Sequence, residues 1–439
     1  MSQLADIFTQ VIEQYSAEFS VTNKLVLGFS GGVDSRVMLQ LLAEYRQSKG
    51  CDVLAVHVHH GLSDKADKWA EQCKTWCQQL NIECVVERVA LETQGQSIEA
   101  AAREARYNAI AYHVNSGDLL LVGQHADDQI ETFLLALKRG SGPKGLSAMA
   151  ECMPFAGGQL VRPLLNVTRE QIEQYANDLQ LEWLEDESNQ DTRFDRNYIR
   201  HCVTPLLTER WSSIHRAVNR SAQLCAEQES LLAELLSDKF AAVIGTDNSL
   251  AIDGLDQESE RVRSHLIRLW FERAHLPMPS REHLYAIWQQ VAQAAQDANP
   301  ILKLGDIEVR RFAGRLYHVG VSQDVSGWSS PLVLNQAITL PDQLGGLVVS
   351  SAPSGQISLT EDQLSRLTVT FNPEGLSAHP QGRGHSRKLK KLFQEYQVPS
   401  WLRRRMPIIM CDEHVVAVVG LFIDKRFSGG DYQIEWQRK

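Results

Sequence analysis

The sequence predicts an α/β protein: a doubly wound parallel sheet with a glycine-rich anion-binding turn, then a small helical domain and a small α+β C-terminal domain. Three observations predict it. Apolar runs of strand length alternate with helical periodicity up to about Lys138. The hexapeptide Ser30-Gly31-Gly32-Val33-Asp34-Ser35 stands between one such strand and one such helix. After Thr204 the alternation gives way to helices, then to short strands punctuated by Gly, Ser and Pro.

Taken in order, residues 24–29 read as a strand and residues 36–45 as a helix, and the turn between them cradles phosphate. Gly31 and Gly32 let backbone N–H groups approach an anion, Ser30 and Ser35 add hydroxyl donors, and the helix start contributes about half a positive charge. Asp34 among phosphates requires a cation between them, which makes it a Mg²⁺ ligand. A plain strand-to-helix turn is the bland alternative. Residues 52–60 form the next strand, 63–80 a helix with Trp69, Cys73, Trp76, Cys77 and Leu80 on one face, 83–89 a strand, 97–114 a helix, 118–123 a strand and 126–138 a helix. In such sheets ligands bind beyond the carboxyl ends of the strands, so residues 30–35, 57–60 and 125–131 converge on one crevice. Later, residues 221–236 read as a helix with Leu224, Leu231, Leu232 and Leu235 as its core face, and 386–396 as a basic helix. The predicted divisions are 1–215, a helical domain at 216–321, a connecting segment at 322–359 and a basic domain at 360–439.

Composition is that of a soluble protein: 439 residues, 43% hydrophobic, 22% charged. No apolar run approaches the roughly 18 residues of a membrane span, and the first twenty residues lack a basic-then-apolar leader, so a cytoplasmic location is expected. The eight cysteines include no C-x-x-C pair, which disfavours zinc or a redox couple. A formal charge of −10 argues against indiscriminate nucleic-acid binding. Yet Arg383, Arg387, Lys388, Lys390, Lys391, Arg403, Arg404 and Arg405 face only Glu395 within residues 383–405, a local footprint for RNA phosphates.

Four further constellations carry chemistry. His57, His59 and His60 alternate across a strand, which suits a crevice wall near a nucleotide better than a metal site. Arg103 and Arg106 are neighbours at i, i+3 and fit either an anion site or a solvated face with Glu99 paired to Arg103. Asp127, Asp128 and Glu131 fit either a capping box, Asp128 with Glu131, or a site for an ammonium group. Arg196 and Arg200 share a helical face after the polar loop 185–195, where they can hold phosphate or RNA, with a surface loop of internal ion pairs as the alternative.

The hexapeptide resembles the SGGxDS loop of ATP pyrophosphatases, whose fold is HUP-like. Together with HVHHGL, EAAAREARY, HADDQIETFLL, RPLL, EDESN…RNYIR and SRKLKKLFQEYQVPSWLRRRMPII, the whole chain resembles bacterial tRNA(Ile)-lysidine synthases. That resemblance implies adenylation by ATP of the C2 oxygen of the wobble cytidine in tRNA(Ile) with anticodon CAU, then displacement of AMP by the ε-amine of L-lysine. It implies a change of reading from AUG to AUA and of charging from Met to Ile. It assigns ATP to Ser30, Gly31, Gly32, Val33, Asp34, Ser35 and His57, Mg²⁺ to Asp34, and the lysine α-ammonium to Asp128 and Glu131. Arg103 matches the carboxylate partner, with Arg106 the open alternative. By the same resemblance Asp34 and Arg196 would be catalytic, and Arg200 with Arg387, Lys388, Lys390, Lys391, Arg403, Arg404 and Arg405 would hold tRNA. Oligomeric state, including a homodimer, stays open. Three positions depart from the family pattern: His59 for Asn, Gln124 for His and Asn372 for Arg. A tRNA thiolase with the same loop is the competing enzyme, disfavoured because it would need a cysteine pair or a cluster.

Overall fold

Lys24–Gly28, expected as a strand, lies inside a six-stranded sheet in the computed structural model, which describes residues 3–18, 24–61, 63–90, 98–295 and 298–438. The chain divides into two units, residues 1–235 and 236–439. In the first, β1 (Lys24–Gly28), β2 (Asp52–His59), β3 (Glu83–Arg88), β4 (Leu119–Leu121), β5 (Cys152–Phe155) and β6 (Gly158–Val161) assemble in the order β3-β2-β1-β4-β6-β5. Every neighbouring pair is parallel except the hairpin β5–β6. That hairpin has no counterpart in the sequence reading. Its strands are four residues long, and Pro154 weakens the pattern.

The central strands are apolar throughout because both their faces are covered. Leu25, Leu27, Leu119 and Leu121 enter a core with Phe8 and Ile12 of α1 (Gln3–Glu18) and Val37, Met38 and Leu41 of α2 (Val33–Lys49). Val26 and Leu120, one residue out of phase, enter the opposite core with Leu54, Val56 and Ile110 of α4 (Ile98–Ala111). A buried leucine at such a position contributes about 2–5 kcal/mol against truncation to alanine. The strand ends that carry the site are therefore firmly held. The helices α3 (Ala66–Gln79) and α5 (Ala126–Lys138) complete the alternation. Because the chain leaves β1 toward β2 on one side and returns with β4 on the other, the loops after β1 and β4 face one another at the switch point.

The second unit departs from its expected outline. Its first part, expected as mainly helical with strand-like runs at 307–311 and 316–321, builds those runs into a sheet: Leu250–Ala251, Arg315–Gly320, Ile307–Phe312 and Ile301–Leu304 form four antiparallel strands beside the helix Glu260–Arg273. Residues 322–359, expected as a connection, hold strands Ser329–Pro331, Ile338–Thr339 and Gly346–Ser351. Their Leu332, Leu347, Val349 and Ile357 share a core with Val369, Phe371 and Ile409, so the Gly and Pro punctuation marks turns between short strands rather than a linker. The expected basic helix is shorter as well. Arg387–Lys388 pairs as a strand with Ser377–Ala378, and only Leu389–Glu395 is helical, with Leu389, Leu392 and Phe393 buried.

The helix expected at 221–236 runs over Ile214–Val243. Leu224, Leu231 and Leu235, read as its core face, are 49%, 56% and 66% exposed. A periodic stripe tells which residues share a face, and nothing in it says whether another element covers that face. Among the described residues no helix is long and apolar enough to cross a membrane.

Candidate active site

The loop after β1 is built tightly from its own side chains. Ser35 Oγ accepts from Gly31 N at 3.0 Å, donates to Gly32 O at 3.0 Å and lies 3.0 Å from Ser30 Oγ. The Ser35 proton, expected to face a phosphate, thus holds the loop, while exposed Ser30 keeps its hydroxyl at the mouth. Gly31 has φ 86°, and a Cβ there would meet Leu184 Cδ1 at 2.6 Å and Cys73 Sγ at 2.9 Å. No other residue fits. Behind the loop, Leu184 N donates to Gly31 O at 2.9 Å. Gly123, just past β4, sits so close that its Cβ would lie 3.2 Å from Asp34 Cβ and from Ser35 N. The first N–H groups of α2, which have no partners within the helix, therefore lie at the switch point between β1 and β4.

His57 packs beneath this loop. Its Nδ1 donates to Phe29 O at 2.9 Å, which leaves Nε2 as an acceptor, and burial lowers its pKa below the usual imidazole range.

Around Asp34 lies a network of opposite charges drawn from four parts of the chain. Arg169 Nη1 donates to both Asp34 oxygens at 2.8 and 3.0 Å. His125 Nε2 is 3.6 Å from Asp34 and 3.5 Å from Asp128, and its Nδ1 is 3.5 Å from Asp127. Asp127 also accepts from Arg169 N at 2.8 Å and lies 3.1 Å from His215 Nε2. Arg200 Nε donates to Glu131 Oε1 at 2.6 Å, and its Nη2 to Glu131 Oε2 at 3.1 Å and Asp128 Oδ1 at 3.0 Å. Arg196 Nε stands 3.6 Å from Glu131, and its Nη2 donates to Thr132 Oγ1 at 3.2 Å.

Burial pushes the Asp34 carboxyl up, Asp128 adds to the push, and His125 and Arg169 oppose it. Burial also works against charge on Asp127, but His125, His215 and the Arg169 N–H together hold it well below the usual carboxylate range. Burial would lower His125, yet Asp128, Asp127 and Asp34 carry it to about 9. The carboxylate oxygens of Asp34 and Asp128 form a hard donor set. Oxygen donors of this kind suit a divalent cation, which would take the place of the Arg169 guanidinium on Asp34.

Several expected residues meet here and others do not. Asp34, Asp128, Glu131, Arg196 and Arg200 come together, with Arg200 locked on the two acids instead of standing open to RNA. The capping box forms one turn earlier than expected: His125 is the N-cap, and its N–H donates to Asp128 Oδ2 at 3.1 Å. Asp128 therefore caps α5 with one oxygen and binds Arg200 with the other. Glu131, completely buried, has no capping role. Arg103 lies over the Tyr107 ring at 5.1 Å, while Arg106 Nε donates to His60 Nε2 at 3.4 Å, and neither forms an ion pair with Asp128 or Glu131. The alternative pairing of Arg103 with Glu99 falls outside the described side chains. Gln124, one of the departures, accepts from the buried Arg162 guanidinium.

Arg169 and His215 were not anticipated from sequence. Arg169 left one signal. As the first residue of the helix Arg169–Asp178 it sits against the helix dipole, a place that disfavours a cation unless an acid lies beyond the helix end. His215 left none.

In the second unit, Glu395 takes both Arg383 and Arg387, Glu374 takes Arg404, and Asp342 takes Arg405 at 2.7 Å. Arg403 Nε donates to Val398 O at 2.9 Å. The positive window is thus more neutralised than its sequence implies. Lys388, Lys390 and Lys391 are exposed, with no ion pair among the described residues.

Three family models match the chain: a PP-loop domain over residues 3–207, a TilS substrate binding domain over 250–317 and a TilS substrate C-terminal domain over 367–438. The tRNA(Ile)-lysidine synthase of Vibrio vulnificus (strain CMCP6) is 56% identical over 440 residues and is matched across 100% of both chains. That of Vibrio parahaemolyticus serotype O3:K6 (strain RIMD 2210633) is 56% identical over 439 residues, again across 100% of both. The Photobacterium profundum enzyme of the same name is 47% identical over 434 residues, across 98% of this chain and 99% of its own.

Proposed function

The chain belongs to the tRNA(Ile)-lysidine synthase family, and we propose that it joins L-lysine to C2 of the wobble cytidine of tRNA(Ile) with anticodon CAU. The observation that carries this reading is the charge network at the β1–β4 switch point. It places Asp34, Asp128 and Glu131 beside an anion-binding helix start, so one crevice offers sites for a triphosphate and for an amine. In the first step the cytidine C2 oxygen attacks the α-phosphorus of ATP and pyrophosphate leaves. In the second the lysine ε-nitrogen attacks C2, the C2–O bond breaks with release of AMP, and the amine gives up a proton. Codon reading then passes from AUG to AUA and charging from Met to Ile.

Residue roles follow from chemistry. Residues 30–35 and the N–H groups of α2 hold the ATP phosphates, and His57 lines the nucleoside end. Asp34, with Asp128 near, would hold Mg²⁺, whose charge offsets that building on the departing pyrophosphate. Glu131 and Asp128 bind the lysine α-ammonium, and Arg200 is their counter-ion when lysine is absent. Arg103, with Arg106 adjacent, provides charge for the lysine carboxylate. Arg196 stabilises phosphate charge at the reacting centre. Such a grip on the α-end leaves the ε-amine, of ordinary pKa about 10.4, unpaired and able to lose its proton.

The direct test is incubation of transcribed tRNA(Ile) bearing CAU with ATP and labelled lysine, followed by nucleoside analysis. Lysidine at the wobble position is the expected product, and pyrophosphate release without lysine incorporation would refute the reading.

The three unpaired lysines suit RNA phosphates, with Leu389, Leu392 and Phe393 anchoring their helix underneath. Changing Lys390 and Lys391 to alanine should weaken tRNA binding and reduce the slope of log K against log salt by about 2, with ATP affinity intact. An unchanged slope would reduce this helix to a solubilising role and move the tRNA grip elsewhere.

A further inference from the structure

Beside the acid network the chain exposes aromatic surface that none of the chemistry above uses. Phe194 and Tyr198 are each 52% exposed, one helical turn apart, with Tyr198 N donating to Phe194 O at 2.9 Å. Single exposed aromatics are ordinary. Two on one hydrogen-bonded turn are less so.

Side chains tie this turn as well. Asp191 accepts from Arg193 N at 3.0 Å and from the Arg193 guanidinium at 2.6–3.0 Å, and its carbonyl accepts from Asn197 Nδ2 at 3.0 Å. Lys138 Nζ donates to Asp195 Oδ2 at 2.6 Å, tying the turn to the end of α5. From the opposite side of the same segment, Arg196 and Arg200 reach Thr132, Glu131 and Asp128. One short stretch therefore has its arginines in the charge network and its rings in solvent, on a backbone tied at several points. Of the four arginines between residues 193 and 210, Arg193 pairs with Asp191, while Arg196 and Arg200 face Glu131 and Asp128. The Arg193 side chain, next in sequence to Phe194, is 87% exposed even while it pairs with Asp191.

Attack on cytidine C2 requires the base edge to be turned out of the anticodon stack, and the bases beside it then lose a stacking partner. Flat rings flanked by arginine are the surface that unpaired bases seek, and stacking is worth about tenfold or more in affinity for each base. The geometry points to Phe194 and Tyr198 as a stacking platform for the unpaired anticodon bases next to the reacting cytidine, with Arg193 at the neighbouring phosphate. This inference rests on the function proposed above and adds to it how the anticodon loop is held open.

The test uses an anticodon stem-loop RNA carrying CAU, with 2-aminopurine in place of the adenine of the triplet. Phe194→Leu with Tyr198→Leu keeps apolar area and removes the π faces. The double variant should raise the Kd for the stem-loop at least about tenfold and abolish the fluorescence quenching that stacking produces in the wild type. A Kd within twofold of wild type, with quenching retained, overturns the platform and leaves the exposed rings to a protein partner. Photocross-linking of 5-iodouridine, placed at the uridine of CAU, to the unaltered protein gives a second measurement that needs no variant. A cross-link within residues 193–198 supports the platform, and cross-links confined to other segments overturn it. Lysidine formation by the wild-type protein is scored separately and decides the underlying reading.

Discussion

Asp34→Asn should leave the protein folded and cut pyrophosphate release by at least about 100-fold. The folded state already disfavours charge on Asp34, since burial and Asp128 raise its pKa beyond what His125 and Arg169 restore. Neutralising it relieves that tension but weakens the two hydrogen bonds from Arg169, so the two effects oppose and the melting temperature should change little. What is lost is a hard oxygen ligand and a charge at the phosphates. Single-turnover pyrophosphate release, measured beside a thermal melt, separates the two. Normal release from the variant would remove Asp34 from the chemistry, and a large fall in melting temperature would make it a structural residue.

Glu131→Gln should have two effects at once, and a second substitution separates them. Glu131 is completely buried and bound by Arg200 through two hydrogen bonds. Losing its charge leaves the arginine poorly paired, a loss of about 3–5 kcal/mol in comparable buried pairs. Lysine transfer should also stop, while adenylated tRNA still accumulates, because the acid is proposed to hold the lysine α-ammonium. Adding Arg200→Met removes the stranded cation and should restore most of the stability without restoring transfer. Recovery of both in the double variant would show that Glu131 serves only to hold Arg200, and the lysine site would then lie elsewhere.

These two acids show how far local sequence can carry an argument. The clustering of Asp127, Asp128 and Glu131 after an apolar strand was legible, because strand, turn and helix start are all short-range patterns. The helix lies at 126–138 as expected, and only its capping box was placed one turn too late. Asp128 was a plausible N-cap, and only the folded backbone makes His125 the cap and Asp128 its N3 partner. That shift removed the capping explanation for Glu131 and left its buried pairing with Arg200 as the reason for an acid there.

Local sequence was enough for the β1–turn–α2 unit, the parallel strands of the sheet, and the convergence of the loops after β1 and β4. Each follows from periodicity and turn chemistry within some twenty residues, where backbone sterics and hydrophobic patterning act directly. Which charges neutralise which was left to the packing of the chain. Arg169 meets Asp34, His215 meets Asp127 and Arg200 meets Glu131 across long stretches of sequence, because the docked helices bring them together and no local rule encodes the pairing. Packing likewise made Glu395 quench two of the expected RNA-binding arginines, and left the leucine stripe of Ile214–Val243 exposed. Charge and hydrophobicity belong to residues, but pairing and burial belong to the surfaces that meet them.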